Sequence, residues 1–232
     1  MTLYKLVVES LELAGRSWQI TGEGYDPFGL FYRVTDQDLA AQGRSLPPNP
    51  EAALAPATLA QQHPDLQLLL VAAVLCNDAV LRQMPADNGQ KSGGAQGKQN
   101  KRKKSAQGKG DLVWGILGDP TEGGLLALAG KANIVQEVWS SQFPRVAEIP
   151  FSSDRKRMSV FVKTGGTAPD DRLFPLLPLQ TAKTVPGFLM WTKGSPELVL
   201  QGCDFVQQGS RVVPLSEGLR SRIMDNNDRL AG

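Results

Sequence analysis

Leu3, Lys5 and Val7 alternate with Tyr4, Leu6 and Val8, and a second β-branched and aromatic run, 17–21, follows the Gly15 turn. Alternation of such side chains predicts two strands within residues 1–22. From Gly22 to Pro56 the pattern gives way to Gly, Pro, Asp and Asn. This predicts a long irregular connection with a short helix near 36–42. Residues 58–82 read as the main helical region: Leu66, Leu69, Leu70, Ala73 and Val74 recur at 3.6-residue spacing. The unbroken apolar run 68–76 predicts a helix buried on most sides, with the polar Asn77-Asp78 at its end.

A strand is predicted at 112–117 and a helix from Asp119. In Asp119-Pro120-Thr121-Glu122 the Asp suits the N-cap, the Pro suits N1, and Glu at N3 would close a capping box. Leu125, Leu126 and Ala129 form the apolar face of this helix, and a second helix covers 134–141. Strands follow at 145–149, 158–163 and 188–192, with a loop at 164–186. Ser195-Pro196-Glu197 opens a short helix that Gly202 ends. Residues 204–207 and 211–213 flank the turn Gln208-Gly209-Ser210. Ser216 caps a last amphipathic helix carrying Leu219, Ile223 and Leu230. Hairpin-like strand runs mixed with helices predict an α+β fold, with a mainly antiparallel twisted sheet flanked by helices.

The chain has 232 residues, 41% apolar and 21% charged, enough for one large domain or two small ones with a packed core. Its net charge of +2 hides an asymmetry: residues 89–110 hold seven Lys and Arg and no acid. Without them, 18 basic residues face 23 acidic ones, a net charge of −5. A globally basic nucleic-acid binder is excluded, and no nucleic-acid partner is expected. Nothing in 89–110 can build a core, so a mobile basic loop is predicted there. Two cysteines exclude a disulfide scaffold, and a single histidine, His63, excludes a Cys/His zinc site. The run 68–76 is too short to cross a bilayer, and no secretory signal opens the chain, so a soluble cytosolic fragment is expected. There is no P-loop, no GxGxxG between strand and helix, and no prominent carboxylate pair. No catalytic residue and no metal site are expected, and an enzyme acting alone is hard to build from this chain.

Three segments exceed what a plain core needs: 118–123 (GDPTEG), 150–160 (PFSSDRKRMSV) and 191–197 (WTKGSPE). Each has a packing explanation. Glu122 can close a capping box, Phe151 can be a core aromatic entering a hairpin, and Lys193-Gly194 can end a strand and turn into a helix. Taken together, and in order with Cys76-Asn77-Asp78, they resemble the nucleotide-binding domain of P-type cation-transporting ATPases, closest to the calcium-pump branch. The resemblance rests on Cys-Asn-Asp at 76–78, Gly-Asp-Pro-Thr-Glu at 118–122, Phe-Ser-Ser-Asp-Arg-Lys-Arg-Met-Ser-Val at 151–160 and Lys-Gly-Ser-Pro-Glu at 193–197. It covers nearly the whole chain.

What the resemblance implies is an ATP-binding module. Phe151 looks like the ring that stacks on adenine, and Glu122 like the acceptor for its amino group. Lys193 looks like the lysine deep in the pocket, with Gly194 admitting a close backbone approach. Lys156 looks like the cation that reaches toward phosphate, and Met158 like a soft wall. Ser153 departs from the family, where Arg is frequent; Arg155 and Arg157 are the nearby alternatives. The Asp-Lys-Thr-Gly-Thr phosphorylation motif is absent. The resemblance therefore implies a module excised from a longer pump at both hinges, with the strand at 3–8 and the final helix finishing at the same end. The implied partners are ATP and the phosphorylation and actuator domains of the same polypeptide, and Mg²⁺ ligands are implied outside this chain. The implied setting is a cytoplasmic domain of an integral membrane protein that moves a cation, Ca²⁺ foremost, with no membrane contact of its own. This chain alone is expected to be inactive. The competing expectation is an interaction module that binds anionic surfaces through 89–110 and has lost nucleotide binding.

Overall fold

A computed structural model describes residues 8–13, 16–34, 53–85, 112–164 and 187–231. The expected strand at 3–8 therefore lies almost wholly outside the described residues. The helix near 36–42, the basic segment 89–110 and the loop beyond Thr164 lie outside them too.

The first sheet is an antiparallel meander of β1 (Ser10–Leu13), β2 (Arg16–Ile20), β3 (Phe31–Val34) and β4 (Ala53–Leu54). Two of these strands fall within the expected irregular connection 22–56. β3 is only four residues long, too short to establish a period, yet Phe31 lies opposite Ile20 and both are buried. Tertiary pairing, not local pattern, makes it a strand.

The expected helix over 58–82 is three elements. α1 (Pro56–Gln62) stops at His63, and α2 (Pro64–Leu75) starts at Pro64. Pro64 has no amide hydrogen to donate back into α1, but its fixed φ suits the first turn of a new helix. Leu66, Leu70, Val71, Val74 and Leu75 of α2 are buried, whereas Leu69 is 38% exposed. Val80–Pro85 is not helical; it is strand β5, paired antiparallel with β6 (Leu112–Leu117). Helix α3 (Pro120–Lys131) packs on α2, followed by α4 (Gln136–Gln142).

A three-stranded antiparallel sheet comes next: β7 (Arg145–Ser152), β8 (Arg157–Lys163) and β9 (Phe188–Gly194). On the core face of β8, Met158, Val160 and Val162 are buried opposite Lys193, Trp191 and Leu189. Removing such aliphatic side chains from water stabilises the fold by roughly 1.5–3 kcal/mol each. The chain continues through α5 (Pro196–Gln201), the hairpin of β10 (Phe205–Gln208) and β11 (Arg211–Pro214), and α6 (Glu217–Ala231). Polar ties fasten these late elements to early ones. The Gly209 amide donates to the Asp65 carboxylate at 2.8 Å, and Arg229 near the end of α6 pairs with Glu12 on β1. Among the described residues every strand pairing is antiparallel and helices flank the sheets, so the fold is α+β. The strands among the described residues form four small sheets rather than one.

Candidate functional site

The loop between α2 and β5, the first turn of α3, the β7–β8 turn and the end of β9 meet around a pocket of about 850 Å³. Glu122, Phe151, Lys156, Met158, Lys193 and Gly194, the six residues singled out in the sequence, all line it. Asp78, Gly118, Asp119, Thr121, Leu125 and Ser195 complete the wall.

Local structure explains each position. Asp119 is the N-cap of α3, where its carboxylate accepts from the Thr121 amide at 2.8 Å and from the Glu122 amide at 3.3 Å. Desolvation opposes ionisation of Asp119, but these two amides, with Lys193 nearby, outweigh it and hold the carboxyl below the usual range. Glu122 does not close the expected capping box. Its Oε2 accepts from the Asp78 amide at 3.0 Å, and its Oε1 accepts from Lys193 Nζ at 2.6 Å. Tertiary donors have captured the carboxylate that a local motif would use.

Lys193 occupies the last core-facing position of β9, across from Met158. The row of side chains that forms the core further along the strand here opens into the pocket. Beneath them the buried Cys76 thiol donates to the Trp191 carbonyl at 3.6 Å, and burial pushes its pKa up despite the nearby Lys193. Met158, 3% exposed, forms the soft wall.

Phe151 is 61% exposed, so it is not the core aromatic that packing would require. It follows Pro150, and the β7–β8 register shifts between Ile149 and Ser152. A proline without a ladder donor and a bulge beside it release the ring from the sheet. Lys156 ends the turn with φ of 47°, held by its amide to the Ser152 carbonyl at 2.7 Å. Its carbonyl accepts from the Ser195 amide at 2.9 Å, which pins β9 to this turn. A Cβ at Gly194 would stand 2.3 Å from the Lys156 carbonyl oxygen and 2.6 Å from Arg157 Cα. The close approach that requires glycine is thus to the neighbouring backbone. Arg157 points elsewhere, donating to the Leu198 carbonyl at 2.9 Å, and Arg155 donates to the Pro150 carbonyl at 3.4 Å. Neither lines the pocket.

Two supporting residues lie outside the six singled out for the site: Asn77, a member of the 76–78 motif, and Arg145, which no motif includes. Asn77, almost fully buried, donates from Nδ2 to the Ala73 carbonyl at 3.1 Å and to the Glu122 carbonyl at 3.0 Å, joining the end of α2 to the start of α3. Arg145 donates to Asp78 and Glu148, both at 2.6 Å, and to the Asn77 carbonyl at 2.7 Å. Desolvation disfavours its charge, but the two carboxylates outweigh that and raise its pKa further. A sequence separation of 67 residues hides the Arg145–Asp78 pair from any reading of periodicity.

The arrangement offers an exposed aromatic face, an anchored carboxylate and two ammonium groups around one open space. Its size falls within the range of small-molecule sites. Among the described residues no group of three or more His, Cys, Asp and Glu could hold a metal ion, and no helix is long and apolar enough to cross a membrane.

Comparison with known proteins gives a consistent result. The profile of the P-type ATPase cytoplasmic domain N matches residues 65–232. The chain is 26% identical over 204 residues, 88% of its length, to the cation-transporting ATPase pma1 of Synechocystis sp.. It is 24% identical over 201 residues, 87% of its length, to the calcium-transporting ATPase of Bacillus subtilis. It is 27% identical over 164 residues, 71% of its length, to calcium-transporting ATPase 1 of Lactococcus lactis subsp. lactis. The matched regions span 16%, 15% and 13% of those relatives.

Proposed function

The chain belongs to the P-type ATPase cytoplasmic domain N family, and from that premise we propose that the pocket binds ATP by its adenine and serves a cation-transporting pump. The adenine stacks on Phe151 and its amino group donates to Glu122. Lys193 lies at the base end, and Lys156, at the turn, is the cation that meets the phosphates. A flat aromatic face recognises a base through stacking, worth about 1–3 kcal/mol in nucleic-acid complexes. Glu122, anchored by Asp78 and Lys193, supplies an acceptor held in place before the ligand arrives.

In a longer polypeptide this module would carry the γ-phosphate to an aspartate on a separate phosphorylation domain. Its contribution to catalysis is then proximity and orientation. Mg²⁺ would travel with the nucleotide and find its protein ligands on that other domain. The cation moved is proposed to be Ca²⁺, after the relatives named as calcium-transporting ATPases.

One observation carries this reading. Four motifs scattered from residue 76 to residue 197 converge on a single pocket, with an exposed Phe151 on its wall. Calorimetric titration of the chain with ATP, set beside titration with anionic lipid vesicles, tests it. Saturable heat with ATP that vanishes in Phe151→Ala supports the adenine site. Binding to vesicles with none to ATP would favour the interaction module instead.

A further inference from the structure

We infer that Arg145, which precedes the 150–160 segment and belongs to none of the motifs singled out in the sequence, is a positioning residue of the pocket and acts on Glu122 through one peptide unit. The inference rests on the adenine reading above. The Asn77 carbonyl and the Asp78 amide are the two ends of the same planar peptide. Arg145 donates to the oxygen end at 2.7 Å, and the nitrogen end donates to Glu122 Oε2 at 3.0 Å. A guanidinium at the carbonyl polarises the peptide and makes its N–H a stronger donor. It also fixes the rotation of the peptide plane, and with it the direction in which that N–H points.

The rest of the segment leaves the plane little freedom. The Ala79 amide donates to Asn77 Oδ1 at 2.9 Å, and Gln136 Nε2 donates to the Ala79 carbonyl at 3.0 Å. A Cβ on Gly118 would stand 2.9 Å from Ala79 Cα, so the β6 end presses on it directly. Arg145 is itself aimed by Asp78 and Glu148, one carboxylate on either side of its chain position. Its fork spans a carboxylate and a carbonyl together, a geometry that a lysine ammonium does not reproduce.

An alternative role for Arg145 is a surface brace of β7 with no bearing on the ligand. The two roles separate on base selectivity. An acceptor fixed by Asp78 and Lys193 favours a 6-amino purine over a 6-oxo purine, whose O6 would face the carboxylate. ATP and ITP share sugar and phosphates and differ at that position. The expected result for the unmodified chain is a preference for ATP of roughly tenfold, about one good hydrogen bond.

The experiment is calorimetric titration of ATP and ITP into the chain and its Arg145→Ala, Arg145→Lys and Glu122→Ala variants, with the Arg145→Ala/Glu122→Ala double variant. If Arg145 positions Glu122, Arg145→Ala and Arg145→Lys both reduce the ATP-to-ITP ratio toward that of Glu122→Ala. The double variant then loses no more than Glu122→Ala alone, the signature of residues acting through one another. An unchanged ratio in Arg145→Ala, even with a lowered melting temperature, overturns the inference. Should Arg145→Ala not fold, Arg145→Lys carries the same criterion. A Glu122→Ala variant that keeps the full ratio would instead overturn the adenine reading itself, and this inference with it, before Arg145 is considered.

Discussion

Lys193 and Glu122 stand 71 residues apart in sequence and 2.6 Å apart in space. Their side chains keep only 26% and 15% of their exposure, so the pair is largely withdrawn from water while it faces the pocket. A charge pair in that setting is screened less than one on an open surface. Each group depends on its partner more than an exposed pair would.

Lys193→Ala should therefore have two effects. Glu122 keeps the Asp78 amide but loses its ammonium, and a partly buried carboxylate left short of a partner destabilises by about 1–3 kcal/mol. Binding of ATP should weaken at least roughly tenfold, since the base end of the pocket loses a donor and its acceptor loses an anchor. Urea unfolding and calorimetry on the same preparation measure both. Unchanged stability together with unchanged binding would show that the pair is incidental.

Phe151→Ala should leave stability within about 0.5 kcal/mol, because the ring is mostly in solvent. Binding of ATP should fall by roughly 5- to 150-fold, the range set by loss of a stacked base. Lys156→Ala, at the proposed phosphate end, should weaken binding less than Phe151→Ala does. The opposite order of the two variants would place the phosphates, not the base, as the anchor.

How much of this was legible in the sequence depends on the range of each interaction. Glu122 stands out in the sequence, by the resemblance as an acceptor and by local pattern as the last residue of a complete capping box begun at Asp119. The Asp78 amide, 44 residues away, and Lys193 decide otherwise, and local pattern carries no trace of either. The exposure of Phe151 follows from Pro150 and a bulge that depends on the register of two strands. Apolar spacing that continues across His63-Pro64 masks the break there, although Pro64 is itself a helix-start signal. β3 and β4 are too short for any period to register. The hairpin around Gly209 and the cap at Asp119 were legible because turn and cap chemistry are strictly local.

Affinity should be modest and nearly blind to the γ-phosphate. The pocket has one stacking ring and a few polar contacts, so a dissociation constant of roughly 0.1–10 mM is expected for ATP, with ADP close behind. No ATP turnover is expected, since the acceptor aspartate motif is absent from this sequence. A large calorimetric preference for ATP over ADP would relocate the phosphates within the site. Phosphate release that persists through purification and is lost in a variant of this chain would reveal chemistry of its own.

The last expectation concerns acid and the one histidine of the chain. His63 sits between α1 and α2, buried, in a T-shaped contact with the Trp18 ring at 4.6 Å between centroids. Arg16 Nη1 lies 3.0 Å from Nδ1, and since a guanidinium only donates, Nδ1 is the acceptor of a neutral ring. Desolvation lowers its pKa, Arg16 lowers it further, Asp65 partly offsets this, and Arg33 adds to the lowering. The folded chain therefore resists protonation at His63, whereas the unfolded chain takes up a proton near the ordinary value of about 6.5. Below that value the unfolded state binds more protons than the folded state, so stability falls as pH falls, until the folded ring titrates as well. The contribution is fully present above about pH 6.5. Melting temperatures between about pH 7.5 and 5 should decline on the acid side, and His63→Asn, which keeps an acceptor for Arg16 but does not titrate there, should flatten that decline. The imidazole resonances of this single histidine report the folded titration directly by NMR. A midpoint at or above the ordinary value, or an equally steep decline in His63→Asn, would mean that Arg16 and burial do not hold the ring neutral.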